Sequence, residues 1–377
     1  MATTEAAVLV GPRTFEVREF TIPEVGPDEG LLEVESSGIC GSDIKPYLHG
    51  GAALGFPRTI DVPVILGHEM VGRITRIGAR AVERWGVEEG DRVVVERWMP
   101  CGQCSACHRG AFAYCVRYLD GKHLFYGGTP TTVRSGLWGG FARHMYLHPD
   151  STVHRVARDT PPSAFTLFLP LANAVDWVHH TGGAELGSRV LIQGPGPIGL
   201  MGVMVAKAAG ADTIVVTGMP GDEGRLQLAR DLGATHTFDA SVENVAARCQ
   251  DISGGIGMDV VLDVTSAETL APVATAVSAA RASGRIVLAT DHSSSDGAAE
   301  IFAKVQSRTL TVVGVRGRQR KSAEAALTLL QDPAWVEQMT RLCDPVVALD
   351  DVASGFEALL DGRGLHASVS MSKDVAQ

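Results

Sequence analysis

Hydrophobic residues change their spacing along the chain, and the change divides the sequence into two parts. In the first part, short apolar runs at 31–34, 71–74 and 92–95, rich in β-branched residues, alternate with glycine and proline. Short strands that are separated by glycine and proline are typical of a compact, irregular β-barrel. From about residue 163 onward, apolar strand patterns alternate with helical patterns instead.

The second part of the chain predicts a sheet with helices between its strands. Strands are predicted at 190–193, 213–217, 235–238, 259–263, 285–289 and 311–315. Helical segments fall between most of these strands, and one at 224–232 ends before Gly233, a residue type that often follows a helix. This alternation indicates a doubly wound parallel sheet of about six strands, so the expected fold class is α/β.

A glycine-rich turn joins the first of these strands to the next helix. Segment 193–199 reads Gln-Gly-Pro-Gly-Pro-Ile-Gly, and a helical stretch to residue 209 follows it. In this context the turn indicates a dinucleotide site, with the helix N-terminus facing the pyrophosphate. Gly194 allows the tight turn, Gly196 lets the backbone approach the pyrophosphate, and Gly199 permits close packing. The expected phosphate-binding residues are Gly194, Gly196, Pro197, Ile198 and Gly199.

Four clustered cysteines lie in the first part of the chain, at Cys101, Cys104, Cys107 and Cys115. Four thiolates at this spacing can close a tetrahedral shell around one zinc ion, and a closed shell is structural rather than catalytic. A disulfide pair or four unrelated thiols are the alternatives. The chain has only seven cysteines and no signal peptide is evident, which disfavours both. Two further cysteines, Cys249 and Cys343, are expected to be core residues.

Composition narrows the class of protein. Apolar residues make up 45% of the 377 residues, and no apolar run approaches the roughly 20 residues of a membrane helix. The formal net charge of -10 argues against partners such as nucleic acid or an anionic membrane. The N-terminal residues Met-Ala-Thr-Thr-Glu lack the basic region and apolar stretch of a targeting signal, so a cytoplasmic protein is expected.

Two further motifs complete a family pattern. Segment 38–43 reads Gly-Ile-Cys-Gly-Ser-Asp, and segment 67–72 reads Gly-His-Glu-Met-Val-Gly. With the cysteine cluster and the glycine-rich turn, they resemble the zinc-dependent medium-chain alcohol and polyol dehydrogenases essentially from end to end. The resemblance implies a GroES-like β-rich catalytic domain at 1–162 and 317–377 and a Rossmann domain at 163–316. It also implies a nicotinamide cofactor bound in a cleft, a small alcohol or ketone substrate, and a homodimer or homotetramer.

The resemblance also implies a role for each polar residue of these two motifs. Cys40 and His68 match ligands of a catalytic zinc ion, and Glu69 matches the acid beside that metal. Ser42 matches the hydroxyl that passes the alcohol's proton outward, and Asp43 matches the carboxylate that orients the ligand histidine. The four clustered cysteines match the structural zinc lobe of the family one for one.

One position departs from the family pattern at the catalytic metal. Leu169 stands where many polyol dehydrogenases carry a glutamate ligand, and leucine cannot bind a metal. The remaining zinc positions are then left to Glu69, to a nearby polar group, or to water. The nearby candidates are Asn173 and Asp176, for which polarity on a helix surface or within the packing is the simpler interpretation.

A second departure concerns proton transfer. Lys45 stands where the family often carries a histidine that ends the relay from the serine. A lysine ammonium accepts a proton poorly at neutral pH unless burial lowers its pKa. His49 could serve instead, although an exposed loop position is the simpler interpretation, and direct transfer to water would also suffice.

The choice of cofactor rests on the end of the second predicted strand. Gly218 stands where a carboxylate usually holds the ribose 2'-hydroxyl of NAD, and the missing charge favours NADP. However, Asp222 and Glu223 come next, before Arg225, and these acids could reach the ribose from a longer loop. We therefore expect NAD, with NADP as the alternative. Thr265 is also expected among the cofactor-binding residues.

The predicted reaction is the reversible oxidation of an alcohol, with zinc lowering the pKa of its oxygen and the nicotinamide accepting a hydride. The resemblance also suggests four residues that line the substrate pocket: Arg97, Trp98, Phe125 and Trp138. The three aromatic residues favour a cyclic or apolar secondary alcohol, unless they belong to the core instead. The alternatives are a metal-independent reductase of an activated carbonyl or double bond, and a non-enzymatic structural or binding protein on the same fold.

Overall fold

The computed structural model describes residues 1–53, 59–118, 124–292 and 294–372. The chain forms two compact units, one made of Met1–Leu169 and Leu327–Gln377 and the other of Pro170–Ala326. Both divisions lie later in the chain than the predicted boundaries at 162/163 and 316/317.

Packing explains both shifts. After the first predicted boundary, Phe165 lies under the guanidinium of Arg92, 5.5 Å from its ring centre, and so belongs to the first unit. After the second predicted boundary, the chain is held by the second unit: Trp177 Nε1 donates to the carbonyl oxygen of Gly317 at 2.8 Å.

The strands are β1 (Thr3–Gly11), β2 (Thr14–Thr21), β3 (Gly30–Gly38), β4 (Gly51–Ala53), β5 (Thr59–Asp61), β6 (Glu69–Ile77), β7 (Arg92–Val95), β8 (His144–Leu147), β9 (Val153–Arg155), β10 (Arg189–Gln193), β11 (Thr213–Gly218), β12 (His236–Asp239), β13 (Met258–Asp263), β14 (Ala280–Leu288), β15 (Thr311–Gly314), β16 (Val346–Ala348) and β17 (Ser368–Ser370).

The α-helices are α1 (Gly41–His49), α2 (Ala79–Trp85), α3 (Ser105–His108), α4 (Pro162–Thr166), α5 (Phe168–Ala174), α6 (Pro197–Ala208), α7 (Glu223–Leu232), α8 (Val245–Ile252), α9 (Ala271–Ala279), α10 (Ala298–Ser307), α11 (Arg320–Leu329), α12 (Pro333–Leu342) and α13 (Val352–Leu360). A π-helical stretch, Val175–His180, follows α5, and 3-10 turns lie at Phe112–Tyr114, Val116–Tyr118 and Leu349–Asp351. No helix of the described residues is both long enough and apolar enough to cross a membrane.

The first unit contains a seven-stranded sheet in the order β16-β17-β3-β6-β7-β9, and β8 also pairs with β3. Most neighbours are antiparallel, and the predicted runs at 31–34, 71–74 and 92–95 lie in β3, β6 and β7. Large side chains such as Phe141, Tyr146 and Phe356 are fully buried in its core. Each contributes about 1.5–3 kcal/mol through burial. The β-rich first domain is therefore confirmed.

The second unit is built on a parallel six-stranded sheet in the order β12-β11-β10-β13-β14-β15. This confirms the predicted doubly wound sheet. Gln193, the last residue of β10, pairs with Thr217 in β11 and with Asp263 in β13. The strand order reverses between β10 and β13, and ligands of such sheets bind outside the strand ends at that point. Cys249 is buried in this unit and Cys343 in the first, as predicted.

Candidate active site

Helix α1 begins beside the first predicted zinc ligand. Cys40 precedes the helix with extended backbone angles, and its carbonyl oxygen accepts from the backbone N–H of Asp43 at 2.9 Å. In return, the backbone N–H of Cys40 donates to Oδ2 of Asp43 at 3.3 Å. An acidic residue in the first helical turn is stabilised by the amides and the dipole at this end. The helix start therefore fixes the positions of both residues.

The carboxylate of Asp43 also holds His68, which lies just before β6. Its Oδ1 atom is 3.2 Å from Nδ1 of His68, and the two residues are 0% and 4% exposed. A carboxylate at Nδ1 fixes the imidazole so that Nε2 presents its lone pair on the other side of the ring. Asp43 thus connects the two predicted zinc ligands.

Cys40, His68 and Glu69 can each offer a metal-binding atom, and these atoms all lie within 4.8 Å of one another. Thiolate, imidazole and carboxylate are the donors that zinc prefers in proteins. Burial raises the pKa of the Cys40 thiol, and the negative charges of Glu69 and Asp43 raise it further. The thiolate form therefore needs a cation nearby, and the donor set fits a zinc ion.

Glu69 has a neighbour that the sequence did not indicate. Nε2 of His366, which lies just before β17, is 3.5 Å from Oε2 of Glu69, and both residues are buried. Burial, followed by the charge of His68, lowers the pKa of His366 to about 4, so its ring is neutral at pH 7. A Cβ atom at Gly38 would lie 2.5 Å from Oε2 of Glu69 and from Nε2 of His366, so a larger residue at this end of β3 would have to displace them.

Arg97 also lies beside the predicted metal ligands. It follows β7, is 7% exposed, and has its guanidinium 5.0 Å from the ring centre of Trp98 and 5.3 Å from that of Phe125. Its Nη1 atom donates to Oγ of Ser42 at 3.2 Å and lies 3.3 Å from Nε2 of His68. A buried cation thus touches both the predicted proton carrier and the ligand atom of the histidine.

The polar candidates near Leu169 are engaged in other contacts. Leu169 is buried at 4% exposure. In the second unit, Oδ1 of Asn173 accepts from Arg318 at 3.2 Å. Oδ1 of Asp176 accepts from Ser322 at 3.1 Å, and burial raises the pKa of Asp176. These contacts agree with the simpler interpretation of Asn173 and Asp176 as packing polarity.

Three other residues that the sequence analysis considered, Lys45, His49 and Trp138, differ in how far they are exposed to solvent. Lys45 and His49 of α1 are both exposed, whereas Asp43 is buried and Ser42 is partly buried. Trp138 is 1% exposed, and its indole N–H donates to the carbonyl of Val133 at 2.8 Å. Trp138 therefore belongs to the core of the first unit.

The four clustered cysteines converge in the first unit, with their sulfur atoms all within 4.8 Å of one another. The Sγ–Sγ distance is 3.5 Å for Cys104 and Cys107 and 4.0 Å for Cys101 and Cys107. A tetrahedral zinc shell with bonds of about 2.3 Å requires sulfur atoms roughly 3.8 Å apart. Backbone N–H groups, that of Cys107 first, lower the pKa of Cys104 to about 6. The cluster fits a structural zinc ion.

The glycine-rich turn of the second unit has the predicted local geometry. Gly194 has a φ of +105°, a left-handed conformation that favours glycine. A Cβ atom at Gly199 would lie 2.0 Å from the carbonyl oxygen of Gly194, so the helix approaches the strand end too closely for any other residue. Among the described residues beyond its two chain neighbours, no atom lies within 4 Å of a Cβ built on Gly196. Pro197 begins α6, where its fixed φ suits the first helical position.

At the end of β11, an acidic side chain folds back over Gly218. A Cβ atom at Gly218 would lie 2.9 Å from Cβ of Asp222 and 3.2 Å from its Oδ2. The same Oδ2 accepts from the backbone N–H of Met219 at 3.0 Å. The other carboxylate oxygen lies 3.7 Å from Nη1 of Arg225. Asp222 therefore supplies a carboxylate at the strand end where the sequence has glycine.

A contact between Asp263 and His292 lies at the end of β13, at the same edge of the sheet. The backbone N–H and the hydroxyl of Thr265 donate to Oδ1 of Asp263 at 3.0 and 2.8 Å. Nε2 of His292 lies 2.8 Å from the other oxygen, and Nδ1 lies 2.9 Å from the carbonyl oxygen of Ala267. Both ring nitrogens of His292 therefore lie at hydrogen-bonding distance from an oxygen atom. The assignment of Thr265 to the cofactor site stays a prediction, and nothing in the sequence indicated the pair of Asp263 and His292, since no motif marks His292.

Two protein families match the chain by their sequence models. The model described as "Alcohol dehydrogenase GroES-like domain" matches residues 26–158, and that described as "Zinc-binding dehydrogenase" matches residues 197–332. A "Probable alcohol dehydrogenase" of Mycobacterium tuberculosis (strain H37Rv) is 38% identical over 364 residues, 96% of each chain. The chain belongs to the zinc-dependent medium-chain dehydrogenases. This is a family of oxidoreductases, which disfavours the non-enzymatic alternative.

Other members of the medium-chain dehydrogenases are also similar. An L-threonine 3-dehydrogenase of Pyrococcus horikoshii is 37% identical over 252 residues, 67% of this chain and 66% of that one. A crystal structure from Sinorhizobium meliloti, provisionally described as a zinc-binding dehydrogenase bound to NADP, has a TM-score of 0.79 and 25% identity. It covers 98% of this chain and 100% of that one.

Proposed function

We propose that this medium-chain dehydrogenase oxidises a secondary alcohol reversibly to a ketone, with a nicotinamide cofactor and a zinc ion held by Cys40, His68 and Glu69. The convergence of these three donors within 4.8 Å is the observation that carries the proposal. A second zinc ion, held by the four clustered cysteines, has a structural role. We also propose a homodimer or homotetramer, which light scattering tests directly.

Zinc, when bound, supplies a Lewis acid that lowers the pKa of the alcohol, and the nicotinamide supplies the hydride acceptor. Ser42 accepts the alcohol's hydroxyl proton and passes it to water. Asp43 holds the His68 ring through the 3.2 Å contact at Nδ1. The alcohol thus loses a proton and a hydride, and ketone, reduced cofactor and one proton are formed. The exposed Lys45 and His49 are not required for the relay.

NAD is the proposed cofactor, bound at the glycine-rich turn. Thr265 lies near this turn, at the same edge of the sheet. The support comes from Asp222, whose carboxylate lies over Gly218 at the end of β11. A carboxylate at this place accepts from the ribose 2'-hydroxyl and repels a 2'-phosphate. Arg225 is within 3.7 Å of Asp222 and so is partly neutralised by it. The NADP-bound relative supports the alternative.

The proposed substrate is a secondary alcohol with an apolar or cyclic portion. Trp98 and Phe125 supply aromatic surface close to Arg97, which contacts the predicted catalytic residues. The name of the Pyrococcus relative supports a secondary alcohol, because the hydroxyl group at carbon 3 of threonine is secondary.

The alternative is a metal-independent reductase of an activated carbonyl or double bond. Leu169 in place of a ligand favours it, as does the 3.3 Å contact between Arg97 and Nε2 of His68, the atom that would bind zinc. Against it stands the complete set of Cys40, His68 and Glu69 donors.

Formation of NADH from NAD in the presence of matched primary and secondary alcohols tests the proposal. We expect turnover of secondary alcohols that falls at least about a hundredfold in Ser42→Ala, the size typical for a lost proton-transfer group. Lys45→Ala is the matched control in the same helix and should keep its activity. Absence of turnover with every alcohol, together with reduction of enones by NADH or NADPH, would favour the alternative.

A further inference from the structure

His366 lies beside two oxygen atoms of the first unit, and one of them belongs to a proposed metal ligand. Its Nε2 atom is 3.5 Å from Oε2 of Glu69 and 3.4 Å from Oγ1 of Thr166. All three residues are buried. Polar groups interact more strongly in a buried environment than in water, so a donor or acceptor at Nε2 matters to the carboxylate of Glu69.

The hydroxyl group of Thr166 indicates which form of the His366 ring is present. A hydroxyl carries one hydrogen atom, and Thr166 donates it to the carbonyl oxygen of Ser163 at 2.7 Å. Toward Nε2 of His366 the same oxygen atom can therefore only accept, so Nε2 carries a hydrogen atom. His366 thus presents an N–H group, rather than a lone pair, beside the carboxylate of Glu69, and it cannot bind a metal ion through this nitrogen.

Strand pairing sets the distance between His366 and Glu69. Gly38 in β3 pairs with Glu69 in β6 on one side and with Ser368 in β17 on the other. A Cβ atom at Gly38 would lie 2.5 Å from both Oε2 of Glu69 and Nε2 of His366. The missing side chain at Gly38 therefore lets the two groups approach each other across the middle strand.

This contact matters because few protein ligands are available at the catalytic site. Leu169 cannot bind a metal, and Cys40, His68 and Glu69 are the three donors that converge. Metal-binding carboxylates are themselves held by hydrogen-bond donors that orient them, and loss of such a donor weakens metal binding. The N–H group of His366 is placed to do this for Glu69.

We propose that His366 is a positioning residue for Glu69 and that it raises the affinity of the catalytic site for zinc. The inference rests on the proposed function, in which Glu69 is a zinc ligand. His366 acts through the carboxylate and does not touch the metal. Thr166 accepts from the same Nε2 atom and so helps to keep the ring in place.

Zinc affinity, measured by competition with a chromogenic chelator in protein that keeps its structural zinc ion, tests the proposal without any assay of turnover. His366→Leu should weaken zinc binding at the catalytic site about 10–100-fold. His366→Gln should restore most of the affinity, because its amide N–H group can replace that of the ring. His49→Leu, at an exposed position of α1, is the matched control and should bind zinc as wild type does. Thermal unfolding of each variant reports stability separately.

A double-variant cycle shows whether His366 acts through Glu69. In the Glu69→Gln background, His366→Leu should cause little further loss of zinc affinity, because the carboxylate on which it acts is gone. The same loss in both backgrounds would overturn the inference, as would unchanged zinc affinity in His366→Leu or equal losses in His366→Leu and His366→Gln. If Glu69→Gln alone binds zinc as tightly as wild type, the zinc site of the proposed function is wrong, and the inference is wrong with it.

Discussion

The Nδ1 atom of His68 lies 3.2 Å from the Oδ1 atom of Asp43, and both residues are buried. A carboxylate at this nitrogen raises the basicity of the metal-binding nitrogen and fixes the ring. Asp43→Asn should therefore weaken zinc binding at Cys40, His68 and Glu69 by about 10–100-fold. Competition with a chromogenic chelator measures the affinity. The exposed Asp361→Asn is the control, and equal affinity in both variants would contradict this role.

The structural site predicts a different response to mutation. Cys104→Ser should lose one zinc ion per chain and unfold at a lower temperature, because metal binding at such sites contributes to folding. Cys343→Ser is the matched control: this thiol is buried near Ser368 and Thr166, outside the cluster, and should keep full metal content. Elemental analysis and thermal unfolding measure both effects. Full zinc content in Cys104→Ser would show that the four sulfurs do not share one ion.

A change at Leu169 is expected to raise the affinity of the catalytic site for zinc. Leu169→Glu should tighten zinc binding at the catalytic site, because it supplies the carboxylate ligand that the family resemblance implies at this position. Leu167→Glu is the control: Leu167 is also buried in the first unit, and a glutamate there should destabilise the fold without tightening zinc binding. Equal zinc affinities in wild type and Leu169→Glu would mean that this position is remote from the metal.

Features of the site that lie within short motifs could be predicted from the sequence. Contacts between segments far apart in the chain could not. The four clustered cysteines lie in a short motif whose spacing indicates metal binding. Gly194 and Gly199 lie in a short motif that indicates a tight turn and close packing of the backbone. His366 reaches Glu69 only because β17 pairs with β3, and His292 reaches Asp263 only because β14 pairs with β13. Such contacts depend on strand pairing between segments far apart in the chain, for which periodicity gives no signal.

Cofactor preference should depend on the acidic loop after β11. Wild-type protein should bind NAD more tightly than NADP, and Asp222→Asn with Glu223→Gln should narrow the gap by raising NADP affinity. The expected change is about 1–3 kcal/mol, the range for a hydrogen bond to a charged group. Dissociation constants of both nucleotides, measured by fluorescence or calorimetry, test this. A wild-type preference of tenfold or more for NADP, lost selectively in Arg225→Ala, would show that Arg225 binds the 2'-phosphate instead.

The hydrogen-bonding contact between Asp263 and His292 should stabilise the second unit. His292→Gln removes a hydrogen-bond partner of a carboxylate at 0% exposure, and the expected cost is about 1–3 kcal/mol of unfolding free energy. The double variant with Asp263→Asn should lose less than the sum of the single variants, because two amides can still form a hydrogen bond. Chemical denaturation of all four proteins gives the coupling, and additive losses would contradict a direct interaction.

The central claim, that a zinc ion at Cys40, His68 and Glu69 supports alcohol oxidation, is tested most directly by stepwise chelation. Zinc content and NAD-dependent turnover of a secondary alcohol are followed together as the chelator concentration rises. The untreated protein should contain two zinc ions per chain, one for each cluster of ligands. The first to leave should take the activity with it while the fold persists, and added zinc should restore turnover. Undiminished alcohol oxidation in protein that has lost the first zinc ion would contradict the account.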